Sequence, residues 1–341
     1  MEHVSCVLCG GSETGIKIVQ RDVNLHRSEQ VFTLVQCKRC GLIFLNPRPT
    51  PEEIHAFYPK EYYPLEDNRE RRSIDRFFQR LSNGLKRGIR EEFYGYPQRS
   101  GTDRSVLGHF LRRLMLYPEY WHLKLVGRDI LPYRGCGRVL DVGCGPGKML
   151  RGLRDWGWDT YGVDFSAVAV ECAQGKHGLN VKLGDLKSAA YADDFFDVVM
   201  FNHCLEHVFD PMETLCEAWR ILKPGGLLTI MIPNAGGFEA RIFGKWWVQW
   251  DVPRHLFHFT KATMSQLLTK TNFGHIRIDD GMGATFFLGS LDYFYKHVLH
   301  FQNGPGRLGK YLLARPASFL AGHLGYGSEM KVFAEKPVAV E

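Results

Sequence analysis

No run of 18 uncharged apolar residues occurs in this 341-residue chain, so the sequence offers no helix able to cross a bilayer. The opening Met1-Glu2-His3-Val4-Ser5-Cys6 lacks the basic-then-apolar order of a secretory signal. The nine cysteines are odd in number and unevenly spaced, which disfavours a disulfide framework and leads us to expect a reducing, cytoplasmic setting. One-sided charge is also scarce. The 43 Lys and Arg against 37 Asp and Glu leave a net +6, too mild by itself to imply a nucleic-acid partner. Internal repeats and low-complexity tracts are absent. What remains is ordinary globular composition, 45% apolar and 23% charged, with length for one large or two medium domains.

Three zones emerge. Residues 1–64 hold two Cys-x-x-Cys pairs, a short β-like run at Val31–Val35 and a proline-rich exit from Asn46 to Pro51. Residues 65–134 form a basic, helical linker or cap; within 69–128, 14 Lys and Arg face 6 Asp and Glu, so the positive excess is local. From residue 135 to 341, strand-like runs (Arg138–Val142, Asp159–Val163, Asn180–Leu183, Phe196–Phe201, Leu227–Ile232, Ile276–Ile278) alternate with helical patterns (Met149–Trp156, Ala167–Lys176, Met212–Leu222, Thr263–Thr271). Such alternation predicts an α/β fold with a parallel sheet covered on both faces. A last strand, Met330–Ala334, follows a helical insert at about 283–328.

The most informative segment is Arg138-Val139-Leu140-Asp141-Val142-Gly143-Cys144-Gly145-Pro146-Gly147. An apolar strand carries a carboxylate, runs into alternating glycines and opens a helix near Lys148. Glycines let backbone approach a ligand closely, and the helix N-terminus adds free N–H donors. A dinucleotide loop would read G-x-G-x-x-G. Here the third glycine comes one position early, and Lys148 stands where that pattern needs glycine. Asp141 suits a cationic amino group better than a pyrophosphate. Asp164 ends the next strand, where a carboxylate can accept from a ribose diol. Asp185 ends the third, placed for an adenine amine. Together these describe S-adenosylmethionine.

The segment resembles motif I of the class I S-adenosylmethionine-dependent methyltransferases, and later motifs follow in order: Asp164, Asp185, Phe196-Asp197-Val198-Val199 and Leu222-Lys223-Pro224-Gly225-Gly226. The resemblance implies a Rossmann-like seven-stranded sheet whose last strand is antiparallel. It implies a donor site of Asp141, Gly143, Cys144, Gly145, Gly147, Asp164, Phe165, Asp185, Leu186 and Asn202.

Cys6-x-x-Cys9-Gly10 and Cys37-x-x-Cys40-Gly41 are knuckles that each offer two thiolates to one tetrahedral ion. Four sulfurs leave no open position, so we expect a structural zinc ribbon. Disulfides or a redox pair are the rival readings.

Acceptors in α/β folds bind beyond the carboxyl ends of the strands. Two segments lead there, Phe201-Asn202-His203-Cys204-Leu205-Glu206-His207 and the aromatic loop from Trp246 to Thr260. Methyl transfer needs an aligned acceptor and a base, for which His203 and His255 are the candidates. Glu206 and His207 could instead cap or anchor the next helix. His203-x-x-Glu206-His207 also resembles the Glu-x-x-Glu-His metal-binding run of some small-molecule and RNA methyltransferases, with His255 or His258 completing it. The ribbon followed by this domain resembles methyltransferases of sugar and polysaccharide biosynthesis clusters, which carry a His-Glu-His run where this chain has Pro253-Arg254-His255. The resemblance implies O- or C-methylation of a small molecule, a glycan or a lipid-linked precursor. The apolar row Ile74, Phe77, Phe78, Leu81, Leu85, Ile89 predicts a cationic amphipathic helix, packed over the active-site mouth or touching the inner face of a membrane. The alternatives are an RNA methyltransferase gripping nucleic acid with the ribbon and basic stretch, and a zinc-ribbon binding module with an inactive domain.

Overall fold

Three strands lead the chain, β1 (Thr14–Arg21), β2 (Val31–Cys37) and β3 (Ile43–Leu45), paired antiparallel in sequence order. This computed structural model describes residues 1–59, 74–98, 105–127, 130–281, 283–300 and 307–338. Two helices, α1 (Ile74–Phe93) and α2 (Val106–Leu125), pack on each other. Of the apolar row expected along α1, Ile89 is buried and Leu85 is exposed. The side chains of Ile74, Phe77, Phe78 and Leu81 lie outside the described residues.

Strand and helix then alternate: β4 (Arg138–Val142), α3 (Lys148–Asp155), β5 (Asp159–Asp164), α4 (Ala167–His177), β6 (Asn180–Leu183), β7 (Phe196–Asn202), α5 (Pro211–Ile221) and β8 (Leu222–Pro233). The remainder runs α6 (Phe238–Phe243), β9 (Phe257–His258), α7 (Lys261–Lys270), β10 (Gly274–Gly281), α8 (Thr285–His297), α9 (Arg307–His323) and β11 (Glu329–Glu335). The large sheet has the order β10-β11-β8-β7-β4-β5-β6, and β11 is antiparallel to both neighbours. The Leu222–Gly226 motif is the start of β8, with a register shift against β7. Among the described residues no helix is long and apolar enough to cross a membrane.

β7 reads as a continuous apolar run because both its faces are covered; Phe196, Val198, Val199 and Phe201 are buried. β4 follows the same rule with one exception, the buried Asp141. Strand order reverses at β4, with β5 and β6 to one side and β7 and β8 to the other. Side-by-side parallel strands whose connections leave in opposite directions open a crevice at their carboxyl ends.

β9, from the loop after α6, pairs with β3 and so becomes the fourth strand of the N-terminal sheet. The expected aromatic loop is therefore core. Trp247, Trp250, Phe257 and Phe259 are buried together with Phe32, Leu34 and Phe44 of the N-terminal strands, in one hydrophobic core that continues into the large sheet.

Candidate functional site

At the carboxyl end of β4 the chain enters the left-handed region at Gly143 (φ +73) and Gly147 (φ +81). A Cβ at Gly143 would stand 2.6 Å from Cys204 Sγ, and one at Gly147 would stand 2.3 Å from Leu179 Cδ1. Glycine is thus required twice over, by conformation and by space. Gly147 opens α3. The turn is braced by Asp164, whose Oδ2 accepts from Gly145 N at 2.7 Å and whose Oδ1 accepts from Ser166 N at 2.9 Å.

Asp141 Oδ1 and Asn202 Oδ1, at the ends of the adjacent strands β4 and β7, are buried and have no hydrogen-bond partner. A buried carboxylate without a donor is costly. Burial, reinforced by the nearby Asp164 charge, pushes Asp141 up to about 7. Burial also raises Asp164, partly offset by the Ser166 and Gly145 N–H groups.

Both orphan atoms belong to residues lining a cavity of about 630 Å³, closed by Met149 and Trp156 of the α3 region and by Arg90 and Tyr96. The Arg90 guanidinium lies 3.9 Å from the Trp156 ring centroid, and its buried Nε has no partner. One cavity therefore presents a carboxylate and a guanidinium, the complement of an amino acid zwitterion. Sequence reasoning missed Arg90 and Tyr96. They come from α1 and the segment after it, and no local motif marks them.

The other expected donor residues stand further along the sheet. Gly143, Cys144, Asp141 and Asn202 line the cavity; Asp164, Phe165, Asp185 and Leu186 do not. Cys144 is buried, its Sγ 3.6 Å from Gly145 O. Asp185 is exposed, and hydrogen bonds from Ser188, chiefly its backbone N–H at 2.7 Å, hold its carboxyl low. Leu186 is buried, whereas Phe165 is 44% exposed, its ring edge-on to Tyr58 at 5.6 Å.

The four knuckle cysteines converge, with sulfur ligand atoms all within 4.8 Å of one another. Cys6 Sγ is 3.4 Å from Cys40 Sγ, and Cys9 Sγ is 3.5 Å from Cys37 Sγ. A tetrahedral ion with bonds of ~2.3 Å sets sulfurs ~3.8 Å apart, so the cluster fits zinc. Each knuckle is closed by a backbone bond, Gly10 N to Cys6 O and Gly41 N to Cys37 O.

His203 sits just past β7 with Nε2 3.1 Å from Glu329 Oε1 and Nδ1 3.6 Å from Glu206 Oε1. Burial would lower its pKa, but those two carboxylates outweigh it and push it up to about 10. His203 thus holds a proton at neutral pH. His255 is buried, with Nδ1 2.9 Å from Gln249 O. Glu206 and His207 do not cap the next helix. α5 is capped by Asp210, whose Oδ1 accepts from Glu213 N at 2.9 Å.

Arg254, 0% exposed, is gripped in bidentate fashion by Asp22 (Nη2 2.8 Å, Nη1 3.1 Å) and by Asp251 (Nη2 2.6 Å, Nε 3.1 Å). It ties the loop after β1 to the loop before β9.

A protein-family profile described as a methyltransferase domain matches residues 67–277. A Mycolicibacterium smegmatis protein described as a probable S-adenosylmethionine-dependent methyltransferase is 25% identical over 189 residues, covering 55% of this chain and 66% of the relative. A ubiquinone biosynthesis O-methyltransferase of Maricaulis maris is 30% identical over 169 residues, covering 46% of this chain and 64% of the relative. The chain thus spans under two thirds of the length of these curated relatives. Among solved structures, a chain from the Haloferax volcanii complex of the Trm112 methyltransferase activator with a methyltransferase aligns at TM-score 0.45 and 21% identity, covering 67% of this chain and 95% of that one.

Proposed function

The chain belongs to the methyltransferase-domain family of S-adenosylmethionine-dependent enzymes, and on that premise we propose that it transfers a methyl group to oxygen or carbon of a small molecule, a glycan or a lipid-linked precursor. One observation carries the reading: an unpartnered buried carboxylate, Asp141 Oδ1, faces a cavity at the point where the strand order reverses.

The residues fit the donor. Asp141 takes its ammonium, with Asn202 Oδ1 as a second acceptor, and Arg90 takes its carboxylate across the cavity. The glycine turn lets the backbone pass beneath it. Asp164 keeps free lone pairs for the ribose hydroxyls beside its two backbone bonds, and Phe165, Asp185 and Leu186 flank the adenine. The bound donor supplies an electrophilic sulfonium methyl. His203, one residue beyond Asn202, is assigned to the acceptor. It positions the acceptor oxygen for in-line attack, and the carboxylate of Glu329, 3.1 Å from its Nε2, receives the proton that the acceptor gives up as the bond to the methyl carbon forms.

The ubiquinone-pathway name of several relatives supports an oxygen acceptor. A row of exposed apolar residues on α2 (Val106, Phe110, Leu114, Trp121) beside the exposed Arg113 supports a lipid-linked acceptor met at a membrane surface. The zinc of the ribbon braces the N-terminal sheet and takes no part in transfer.

The test is calorimetry with S-adenosylmethionine together with methyl incorporation into candidate acceptors. Asp164→Ala should weaken donor binding about tenfold or more. His203→Ala should abolish turnover while donor affinity stays near wild type. Wild-type donor affinity in Asp164→Ala, or full turnover in His203→Ala, would overturn the respective role.

A further inference from the structure

Beside His203 lies a buried cluster whose histidines take no part in the methyl-transfer reading. Glu206 is 1% exposed, and neither of its carboxylate oxygens has a hydrogen-bond partner. The nearest donor, His203 Nδ1, stands 3.6 Å away, beyond hydrogen-bond reach. The His203 imidazolium offsets its charge at ion-pair distance, but without a hydrogen bond both oxygens keep lone pairs for a further partner.

The surroundings are imidazoles whose free nitrogens are already selected. His207 Nδ1 lies 3.0 Å from Arg254 O and 3.0 Å from Tyr58 OH, and His255 Nδ1 lies 2.9 Å from Gln249 O. Each Nδ1 therefore donates to a backbone carbonyl and turns Nε2 to the far side of the ring; that of His255 also stands 3.8 Å from Asp251 Oδ2. That is how ligating histidines are oriented in metal sites. The two rings meet edge to face at 4.6 Å between centroids. One ligand atom each from Glu206, His207 and His255 falls within 4.8 Å of the other two. His258 Nε2, on β9 close by, is also buried without a partner, and its ring is 6.0 Å from that of His255.

We propose that Glu206, His207 and His255 hold a divalent first-row transition ion, in a site separate from the four-cysteine ribbon. Two imidazoles and one carboxylate suit zinc, iron or cobalt and are poor ligands for calcium or magnesium. The site is assembled from both halves of the molecule, since Tyr58 orients His207 and the Arg254 carbonyl is fixed through Asp22. Three protein ligands leave a position open, the arrangement of sites that engage a substrate atom. That engagement, by an acceptor oxygen, rests on the methyl transfer proposed above; the binding of the ion does not.

The test loads the full-length protein with Zn2+ or Co2+, removes excess ion and counts metal per chain by mass spectrometry. Wild type should hold two ions, whereas Glu206→Gln and His255→Ala should each hold one. With Co2+, the ribbon gives an intense thiolate charge-transfer band. The second equivalent should add only weak ligand-field absorption, lost in both variants. A single ion in wild type, or two ions retained in both variants, would overturn the site. The wild-type count decides even where a variant fails to fold. Donor binding, measured in parallel by calorimetry, should be the same in wild type and variants. Its absence from wild type would count against the methyl-transfer reading and leave the ion count untouched.

Discussion

Asp141 is where the account is most exposed. Its carboxyl, pushed up to about 7 by burial and the neighbouring Asp164 charge, is protonated below that pH in the free protein, and the donor's ammonium binds the ionised form. Affinity for S-adenosylmethionine should therefore rise with pH between about 5.5 and 7, by at most tenfold per unit. Calorimetric titrations across that window should show the slope in wild type and lose it in Asp141→Asn. The variant should also bind more weakly by about 2 kcal/mol, or about 30-fold, at pH 7. An affinity independent of pH in wild type would remove Asp141 from the ammonium. Asp141 was legible in the sequence because its signal is local: a carboxylate at the end of an apolar strand, followed by glycines. Arg90 was not, because the cavity joins it to Asp141 only through the packing of α1 against the large sheet.

Among the elements, the strands and helices from β4 to α5 were legible to within a residue or two, because alternating apolar runs and capping residues such as Ser166 and Asp210 are written locally. β1 and β9 were not. β1 has a largely exposed face with no clean alternation, and the two-residue β9 exists only because β3 supplies its partner. Arg254 illustrates the same limit. In sequence it reads as a departure from a His-Glu-His pattern; in the fold it is the buried cation between Asp22 and Asp251, and Asp22 lies 232 residues away along the chain. Removing it leaves two buried carboxylates facing each other. Arg254→Ala should lower unfolding stability by about 3–5 kcal/mol in a urea titration. A loss below about 1 kcal/mol would mean that the ion pair does not join the two halves.

At the scale of the whole molecule, the N-terminal sheet and the catalytic sheet share a core, so the zones drawn along the sequence are not independent bodies. The four-cysteine cluster, the Asp22–Arg254 pair and β9 hold one face of the molecule together, and the glycine turn at the end of β4 borders the cavity. The central claim is that the turn after Asp141 receives the adenosyl donor. A crystal structure of the full-length protein with S-adenosylhomocysteine tests it most directly. The account predicts the amino group against Asp141 and Asn202 and the ribose against Asp164. The ligand seated elsewhere, or side chains of α1 filling the cavity, would contradict it.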